Sequence, residues 1–163
     1  MAKSIRNRTL VADYLKVGEE FVLMGVGFTD INENPNAKVS KKQYVNEKSS
    51  NSSITSYESD FDYTTDQIRD EKAVEHICSI GELQKTGEDA ETEYVRVDLD
   101  KPGTTENTFR GRKFVVAIQV DNFDTKDGEM SAKGKLLTKG DLEVGTFNVQ
   151  SKEFTKGFTP KVV

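Results

Sequence analysis

The sequence predicts a mainly β fold, a β-sandwich or barrel with one flanking α-helix over about residues 66–80. The second half of the chain carries strand-like segments separated by turn residues roughly every ten positions, which is typical of sandwiches and barrels. One of them, ETEYVRVDL (91–99), alternates apolar and polar residues, so one of its faces is expected to be buried. Asp127-Gly128 is a strong hairpin turn. Only one segment has the period of an amphipathic helix, so a single helix is expected to pack on the sheet.

The chain has 163 residues, which suits a single domain, 1–163, with one core. Residues 1–12 are basic and lack apolar periodicity, so we expect an N-terminal arm. Residues 13–28 are apolar on both faces at strand spacing, as in a buried strand or a hairpin around Gly18. Residues 29–53 are polar and too long for an ordinary connection in a compact domain. A functional loop or hairpin is expected there.

Residues 54–63 are predicted to form a strand with two different faces. Three aromatic side chains alternate with three carboxylates at a period of two. They are Tyr57, Phe61 and Tyr63 on the aromatic face and Glu58, Asp60 and Asp62 on the acidic face. Neighbouring carboxylates on such a face stand about 7 Å apart, too far for three to hold one ion or form an acid–base pair. The acidic face is therefore an ordinary solvated surface or, repeated around a symmetric ring, a negative wall.

One amphipathic helix is predicted to follow this strand, from about Asp66 to Ile80. Thr64 and Gln67 have the spacing of a capping box, and Gly81 is a natural C-cap. Five apolar residues share one arc of the helix at 100° per residue. This predicted core face consists of Ala73, Val74, Ile77, Cys78 and Ile80.

The remaining elements are all predicted to be strands. Residues 109–123 form one long strand that pairs back with residues 129–137 across the hairpin turn. A second turn is expected at residues 139–141, then one or two strands in 141–154 and a C-terminal tail over 155–163. The chain as a whole is expected to contain about seven to nine strands.

Composition excludes several classes of function. The formal net charge is −5, which disfavours general nucleic-acid binding, because that requires a basic surface. The basic cluster of Arg110, Arg112 and Lys113 is too small for such a surface, so cross-strand or intersubunit pairing with the acidic strand is expected. A single cysteine rules out an internal disulfide, and no apolar run has the length of a membrane span. We expect a soluble protein made in a reducing cytoplasm.

No catalytic constellation is evident in the sequence. His76 is the only histidine and has no adjacent serine or cysteine nucleophile, while Cys78 lies on the apolar face of the helix. GVGFTD (25–30) lacks the third glycine and the following helix of a phosphate-binding loop. The aspartates before Gly128 lack the spacing of a calcium loop. The prediction is that the protein is no enzyme and uses no cofactor or metal.

Several ordered stretches together resemble a known family. They are GFTDINENPNA, KQYVNEKSSNSSITSYESDFDYTTDQIRDEKAVEHI, IGELQKTGEDAETEYVRVDL, RKFVVAIQVDNFDTKDGEMSAKGKL and GDLEVGTFN. In order and spacing they resemble the major tail protein, or tail tube protein, of long-tailed bacteriophages that infect Gram-positive bacteria. The resemblance covers roughly residues 20–155.

The resemblance implies a β-sandwich subunit with one helix, assembled into hexameric rings that stack into a tube. Double-stranded DNA then passes through the lumen without specific binding, on its way into the host. Further expected partners are the tape measure, distal tail and tail terminator proteins, and no membrane is involved. The protein is expected in the virion tail, after synthesis in the host bacterial cytoplasm.

Specific residues are expected to serve this assembly. The resemblance implies that a long loop and the terminal arms bridge one ring to the next, and segment 29–53 has the polar character of such a loop. Its candidate contact residues are Lys38, Lys41, Lys42, Tyr44, Asn46 and Lys48. As a hypothesis, the lumen is lined by Glu58, Asp60 and Asp62, whose charge keeps the DNA polyanion from sticking.

Two alternatives remain open at the level of sequence. The inner tube of a contractile tail or of a tail-like bacteriocin shares the subunit fold. A β-sandwich binding module is a different class of protein, which usually presents exposed Trp or Tyr on a concave face. The absence of tryptophan counts against that class.

Overall fold

The mainly β prediction is confirmed. The computed structural model describes residues 3–162, and within them an antiparallel sheet of eight strands carries most of the chain. The strands are β1 Val11–Val17, β2 Glu20–Leu23, β3 Phe28–Asn34, β4 Ala37–Lys42, β5 Asn51–Tyr57, β6 Asp60–Asp66, β7 Glu91–Pro102, β8 Thr108–Lys126, β9 Glu129–Asn148 and β10 Glu153–Lys156. One helix, α1, spans Lys72–Glu82. Short 3₁₀ turns lie at Arg8–Leu10 and Gly87–Ala90.

The strand order of the large sheet is β2-β1-β7-β8-β9-β6-β3, with β10 paired to β9. Leu15 on β1 and Ile31 on β3, near opposite ends of this order, belong to the same buried cluster as Ile77 of α1. The sheet must therefore curve around a core that the helix closes. A second cluster, including Val95 and Phe147, packs on the other side of β7. Because Tyr94 faces the first cluster and Val95 the second, β7 is buried on both faces.

The apolar face of the helix is confirmed, since all five residues predicted for it are buried. The predicted start is wrong, because Thr64 lies in β6 and α1 begins eight residues later, at Lys72. Strand pairing prevails there: β6 is held between β3 and β9 as far as Asp66, and it keeps Thr65 buried. The Gln67 side chain donates to the Ser131 carbonyl oxygen rather than capping the helix.

The predicted C-cap at Gly81 is also wrong. The helix runs on to Glu82, and the left-handed residue that ends it is Gln84, with φ 49°. Backbone hydrogen bonds from Gln84 to Gly81 and from Lys85 to Ile80 close the last turn. Gly81 is instead required for packing, because a Cβ there would lie 2.7 Å from Cγ1 of Val120.

The predicted strand 54–63 is two strands in two different sheets. It is interrupted at Glu58 and Ser59, where the chain leaves the β4–β5 pair and enters the large sheet. Of the aromatic face, Phe61 and Tyr63 are buried, but Tyr57 is 65% exposed and does not join them. Hydrogen bonds between Ser59 and Thr138 fix the crossing point.

The turn at Asp127-Gly128 is confirmed, and both residues have the positive φ of a type I′ hairpin. The turn predicted at residues 139–141 is wrong, because β9 continues through it. Pairing with β8 shifts register at this point, so Gly140 with φ 70° lies in a bulge of a long strand.

The ends of the chain are partly incorporated into the sheet. Of the predicted arm 1–12, residues 3–10 are exposed, Val11 and Ala12 belong to β1, and residues 1–2 lie outside the described residues. Of the predicted tail 155–163, the first two residues belong to β10 and Val163 lies outside the described residues.

Candidate assembly surfaces

The most exposed element is a two-stranded hairpin, residues 37–57, here called the hairpin arm. It forms a sheet of its own, and every residue of β4 and β5 is exposed. It lies largely within the predicted segment 29–53, whose first residues form β3. The six candidate contact residues Lys38, Lys41, Lys42, Tyr44, Asn46 and Lys48 are all exposed on it. Their contact with another subunit stays a prediction.

The two faces of the hairpin arm differ. Cross-strand pairing places Val39 opposite Ile54 and Ala37 opposite Tyr57, which forms an apolar face. The opposite face pairs lysines with polar residues: Lys38 with Ser56 and Lys42 with Asn51. An isolated two-stranded hairpin is marginally stable in water. An amphipathic ribbon with more than half of Val39, Ile54 and Tyr57 exposed is therefore suited to packing against a partner.

The base of the hairpin arm is held by Asn36, which has a φ of 50°. Its side-chain amide donates to the Glu58 carbonyl oxygen at 3.1 Å and to an Asp60 carboxylate oxygen at 3.0 Å. The Glu58 carboxylate lies 3.4 Å from Nζ of Lys38. Beside this base is an open groove of about 460 Å³ between the arm and Leu137 of β9. The groove marks where the arm diverges from the sheet.

The three predicted carboxylates do not form one face. Asp60 and Asp62 are two positions apart in β6 and point away from the core, but Glu58 lies in the break before that strand. Asn34 donates to both aspartates at 2.8 Å. Nζ of Lys135 lies 3.3 Å from Asp62 and 3.8 Å from Asp60. The hydrogen bond from Asn34, with the smaller effect of Lys135, lowers the pKa of Asp62.

Lysines on β9 make this a mixed charged face rather than an acidic one. Strand pairing sets Lys135 opposite Asp62 and Lys133 opposite Thr64, and Lys139 contacts Glu91 at 2.8 Å. Hydrogen bonding to Asp62 raises the pKa of Lys135. These lysines were not predicted to belong to this face. Their alternation in SAKGK was visible, but their position beside the aspartates follows from pairing between β6 and β9, which are far apart in the chain.

Within the chain, the basic cluster pairs across strands but not with the acidic strand, and its pairing with that strand of another subunit stays a prediction. Arg110 donates to Asp98, and Arg112 forms a bidentate pair with Glu33 of β3. Lys113 lies between Glu93 and Glu143. These partners lie on strands next to β8 or across the curved sheet. The cluster therefore forms ion pairs between strands of the same chain.

Two buried carboxylates lie near the N-terminal end of β1 and on β7. Asp13 and Asp98 are 2% and 1% exposed, and both are paired with arginines. Tyr94 donates a hydrogen bond to Asp13, and burial together with this carboxylate raises the pKa of Tyr94 well above its usual value. Burial disfavours the charge on Asp98, but hydrogen bonds from Arg6 and Arg110 outweigh it and lower its pKa.

Two titratable residues of the helix have pKa values that burial shifts. Burial lowers the pKa of His76, and the Lys85 charge adds to this effect. Burial raises the pKa of the Cys78 thiol, which packs in the core. Among residues 3–162, no three His, Cys, Asp or Glu side chains are grouped so that they could hold a metal ion. Over the same residues, no helix has both the length and the apolar character needed to cross a bilayer.

Comparison with known proteins gives similarity of fold only. No protein-family model and no curated protein matches the sequence. Among solved structures, one similar chain belongs to the tail of an empty gene transfer agent particle refined helically with C6 symmetry. It has a TM-score of 0.59 and 12% identity, and the alignment covers 85% of this chain and 97% of that one. A second belongs to the virion of a native gene transfer agent particle, with a TM-score of 0.61, 12% identity and coverage of 86% and 98%.

Proposed function

We propose that this chain is a structural tail tube protein. In this proposal, copies of it close into hexameric rings, the rings stack into a tube, and double-stranded DNA passes through the lumen into the host. The observation that carries the proposal is the shared fold with a chain from a C6-symmetric tail, aligned over 97% of that chain. The similarity to phage tail tube proteins noted in the sequence supports the same conclusion.

Ring formation is supported by the edges of the sheet. β2 and β3 end the strand order and have a strand partner on one side only. Unpaired strand edges invite pairing with another chain. Head-to-tail contacts that use different surfaces of each copy close into a ring when the rotation permits it. Pairing between edges of neighbouring copies would join six sheets into one barrel wall.

Ring stacking is assigned to the hairpin arm. The arm extends from the large sheet and offers an apolar face with Val39 and Ile54 beside a basic face with Lys38 and Lys42. In the tube, the apolar face packs on a copy in the next ring. The lysines, with Tyr44 of the connecting loop, contact acidic and polar groups around it. This contact would stabilise a hairpin that is only marginally stable when isolated.

The bore is assigned to the charged face of β6 and β9. Asp60 and Asp62 face the lumen together with Lys133 and Lys135, while Glu58 lies at the base of the arm. DNA would meet a wall on which Lys135 is paired with Asp62 and Asp60, at 3.3 Å and 3.8 Å, so this cation is not free for its phosphates. Because screening acts over about 8 Å at physiological salt, the charges of this face act on DNA only at short range.

The proposal extends to the setting of the tube. The tape measure, distal tail and tail terminator proteins are the expected partners, and the tube is a component of a virion tail assembled in a Gram-positive host. The inner tube of a contractile tail or of a tail-like bacteriocin would use the same subunit contacts. A sheath gene beside the gene for this chain would identify the contractile case.

The test is negative-stain electron microscopy of the purified, concentrated full-length protein. Hollow tubes or six-fold rings are expected. A matched variant replaces Val39 and Ile54 with serine, which removes the apolar face of the arm but leaves the large sheet intact. This variant is expected to form rings that do not stack. The proposal fails if the wild-type protein remains monomeric even when a purified tail-tip complex is supplied as an initiator.

A further inference from the structure

We propose that the N-terminal residues 3–10 form a detachable strap, held by two arginines, which closes a cleft between the two ends of the curved sheet. All of these residues are exposed, and their regular structure is limited to the 3₁₀ turn Arg8–Leu10. The backbone of the strap joins no strand pairing before Val11. Side-chain ion pairs therefore hold it in place.

Each arginine of the strap binds a buried carboxylate. Arg6 donates a hydrogen bond to Asp98 at 2.6 Å and two more to the Asp100 carboxylate at 2.9 Å and 3.0 Å. Arg8 donates to Asp13 at 2.6 Å and reaches the Ile31 carbonyl oxygen on β3 at 3.4 Å. The arginine side chains are 46% and 49% exposed, whereas Asp98 and Asp13 are almost completely buried. Salt can therefore screen the pairs from the side of the arginines.

Both carboxylates keep a partner when the strap leaves. Asp98 is also bound by Arg110, through Nε at 2.9 Å and Nη2 at 2.6 Å. Asp13 is also bound by the Tyr94 hydroxyl and has Nη1 of Arg96 at 3.8 Å. A buried charge that loses its only partner is strongly destabilising, and this arrangement avoids that cost. The strap can detach while the fold persists.

The strap covers a cleft of about 400 Å³ between the β1–β2 end of the sheet and β3. Arg8 and Thr9 form part of its wall, with Leu23, Met24 and Phe28 contributing apolar surface. Arg8 crosses the opening, because it contacts Asp13 on β1 and Ile31 on β3. Release of the strap exposes this apolar surface. The inference concerns the single chain and stands whether or not copies assemble.

The test compares thermolysin cleavage at two bonds of dilute, monomeric full-length protein, with the products identified by mass spectrometry. The first bond is Thr9–Leu10 in the strap. The second is Tyr44–Val45 in the exposed loop of the hairpin arm, which serves as an internal reference for protease activity. The rate of cleavage at Thr9–Leu10, divided by the rate at Tyr44–Val45, is expected to rise about tenfold in the double variant Arg6→Gln, Arg8→Gln. The same rise is expected when NaCl is raised from 0.05 M to 0.5 M.

Arg69→Gln is the matched control, because Arg69 is another exposed arginine, bound by the carboxylates of Glu75 and Glu82 on α1 and not by residues of the strap. It should leave the ratio unchanged. The double variant should lower Tm by no more than about 4 °C, since only partly exposed pairs are lost. An unchanged ratio in the double variant and at high salt would overturn the proposal. A fall in Tm beyond about 10 °C would do so too, because the segment would then be an integral part of the fold.

Discussion

Strand β7 and the hairpin arm are opposite extremes of the same molecule. β7 is buried on both faces, between the core that α1 closes and the cluster around Phe147. The two strands of the hairpin arm pair only with each other, and all of their residues are exposed. The stability of the isolated chain therefore resides in the sheet around β7. The arm carries apolar surface that is exposed in the single chain.

Two aromatic residues, four positions apart in the sequence, give the largest expected contrast between these regions. Phe61 is fully buried against Tyr94 and Phe114, with ring centroids 4.7 Å and 5.0 Å away. Phe61→Ala should lower the free energy of unfolding by about 3–5 kcal/mol, measured by urea denaturation. Tyr57→Ala, on the hairpin arm, is the control and should change it by less than about 0.5 kcal/mol. Equal losses for the two variants would contradict the distinction between core and arm.

Lowering the pH should destabilise the core region through protonation of Asp98. Because its pKa in the folded protein lies below the ordinary value of 3.8, the stability it contributes is fully present above pH 3.8. That stability is lost as the pH falls below 3.8 through the lowered pKa. Asp98→Asn should cost about 3 kcal/mol at pH 7, because it breaks a buried ion pair.

Thermal unfolding at pH 7 and pH 3 measures this effect. The difference in Tm between wild type and Asp98→Asn should shrink at the lower pH. Glu58→Gln provides the comparison, since Glu58 is an exposed carboxylate at the base of the hairpin arm. If the difference in Tm between wild type and Asp98→Asn were the same at both pH values, the charge on Asp98 would contribute nothing to stability.

A smaller effect is expected where α1 packs on β8. In Gly81→Ala the new methyl group would lie 2.7 Å from Val120 and 2.8 Å from Phe123, so overpacking outweighs the better helix propensity of alanine. The free energy of unfolding should fall by about 1–2 kcal/mol. Gly25→Ala is the control, since the nearest atoms to its added Cβ belong to Leu23 at 3.5 Å. A higher free energy of unfolding for Gly81→Ala would mean that the end of the helix moves easily to make room for the methyl group.

The smallest effect on the monomer should come from the apolar face of the hairpin arm. Val39→Ser exchanges one exposed side chain for another, so the free energy of unfolding should change by less than about 0.5 kcal/mol. Sedimentation of concentrated protein should nevertheless show less large assembly, because the arm loses surface that a partner would bury. Lys41→Ser, two positions along the same strand, separates loss of the apolar contact from a general change in the arm. Normal assembly of Val39→Ser would show that this face of the arm does not form the stacking contact.

Much of the fold was predictable because its signals are local. Alternation in residues 91–99, the Asp127-Gly128 turn and the apolar arc of the helix each depend on residues close together in the chain. The turn and the apolar arc are present in the structure, and residues 91–99 form a strand, but both faces of that strand are buried rather than one. The start of the helix was mispredicted because a capping pattern at Thr64 competes with strand pairing to β3 and β9. That competition involves partners that are distant in the sequence.

The candidate surfaces were predictable only in part, for the same reason. The polar composition of 29–53 indicated a functional loop or hairpin, and the hairpin arm lies largely there, while its function stays a prediction. The acidic alternation of 58–62 was misinterpreted, because the chain changes sheets at Glu58–Ser59 and Lys135 lies beside Asp60 and Asp62. The arginines of the strap were visible as a basic arm, but their buried partners were not.

The sequence by itself determined the mainly β class, the single amphipathic helix and its buried face, since periodicity and turn chemistry act over a few residues. Only the tertiary structure decided which strands are neighbours and which residues become ion-pair partners. Pairing in the order β2-β1-β7-β8-β9-β6-β3 joins segments far apart in the chain. That order brings Lys135 to Asp62 and Arg112 to Glu33. The reason is physical: the energy of a cross-strand contact depends on register, and register is set by burial of the whole sheet rather than by any one strand.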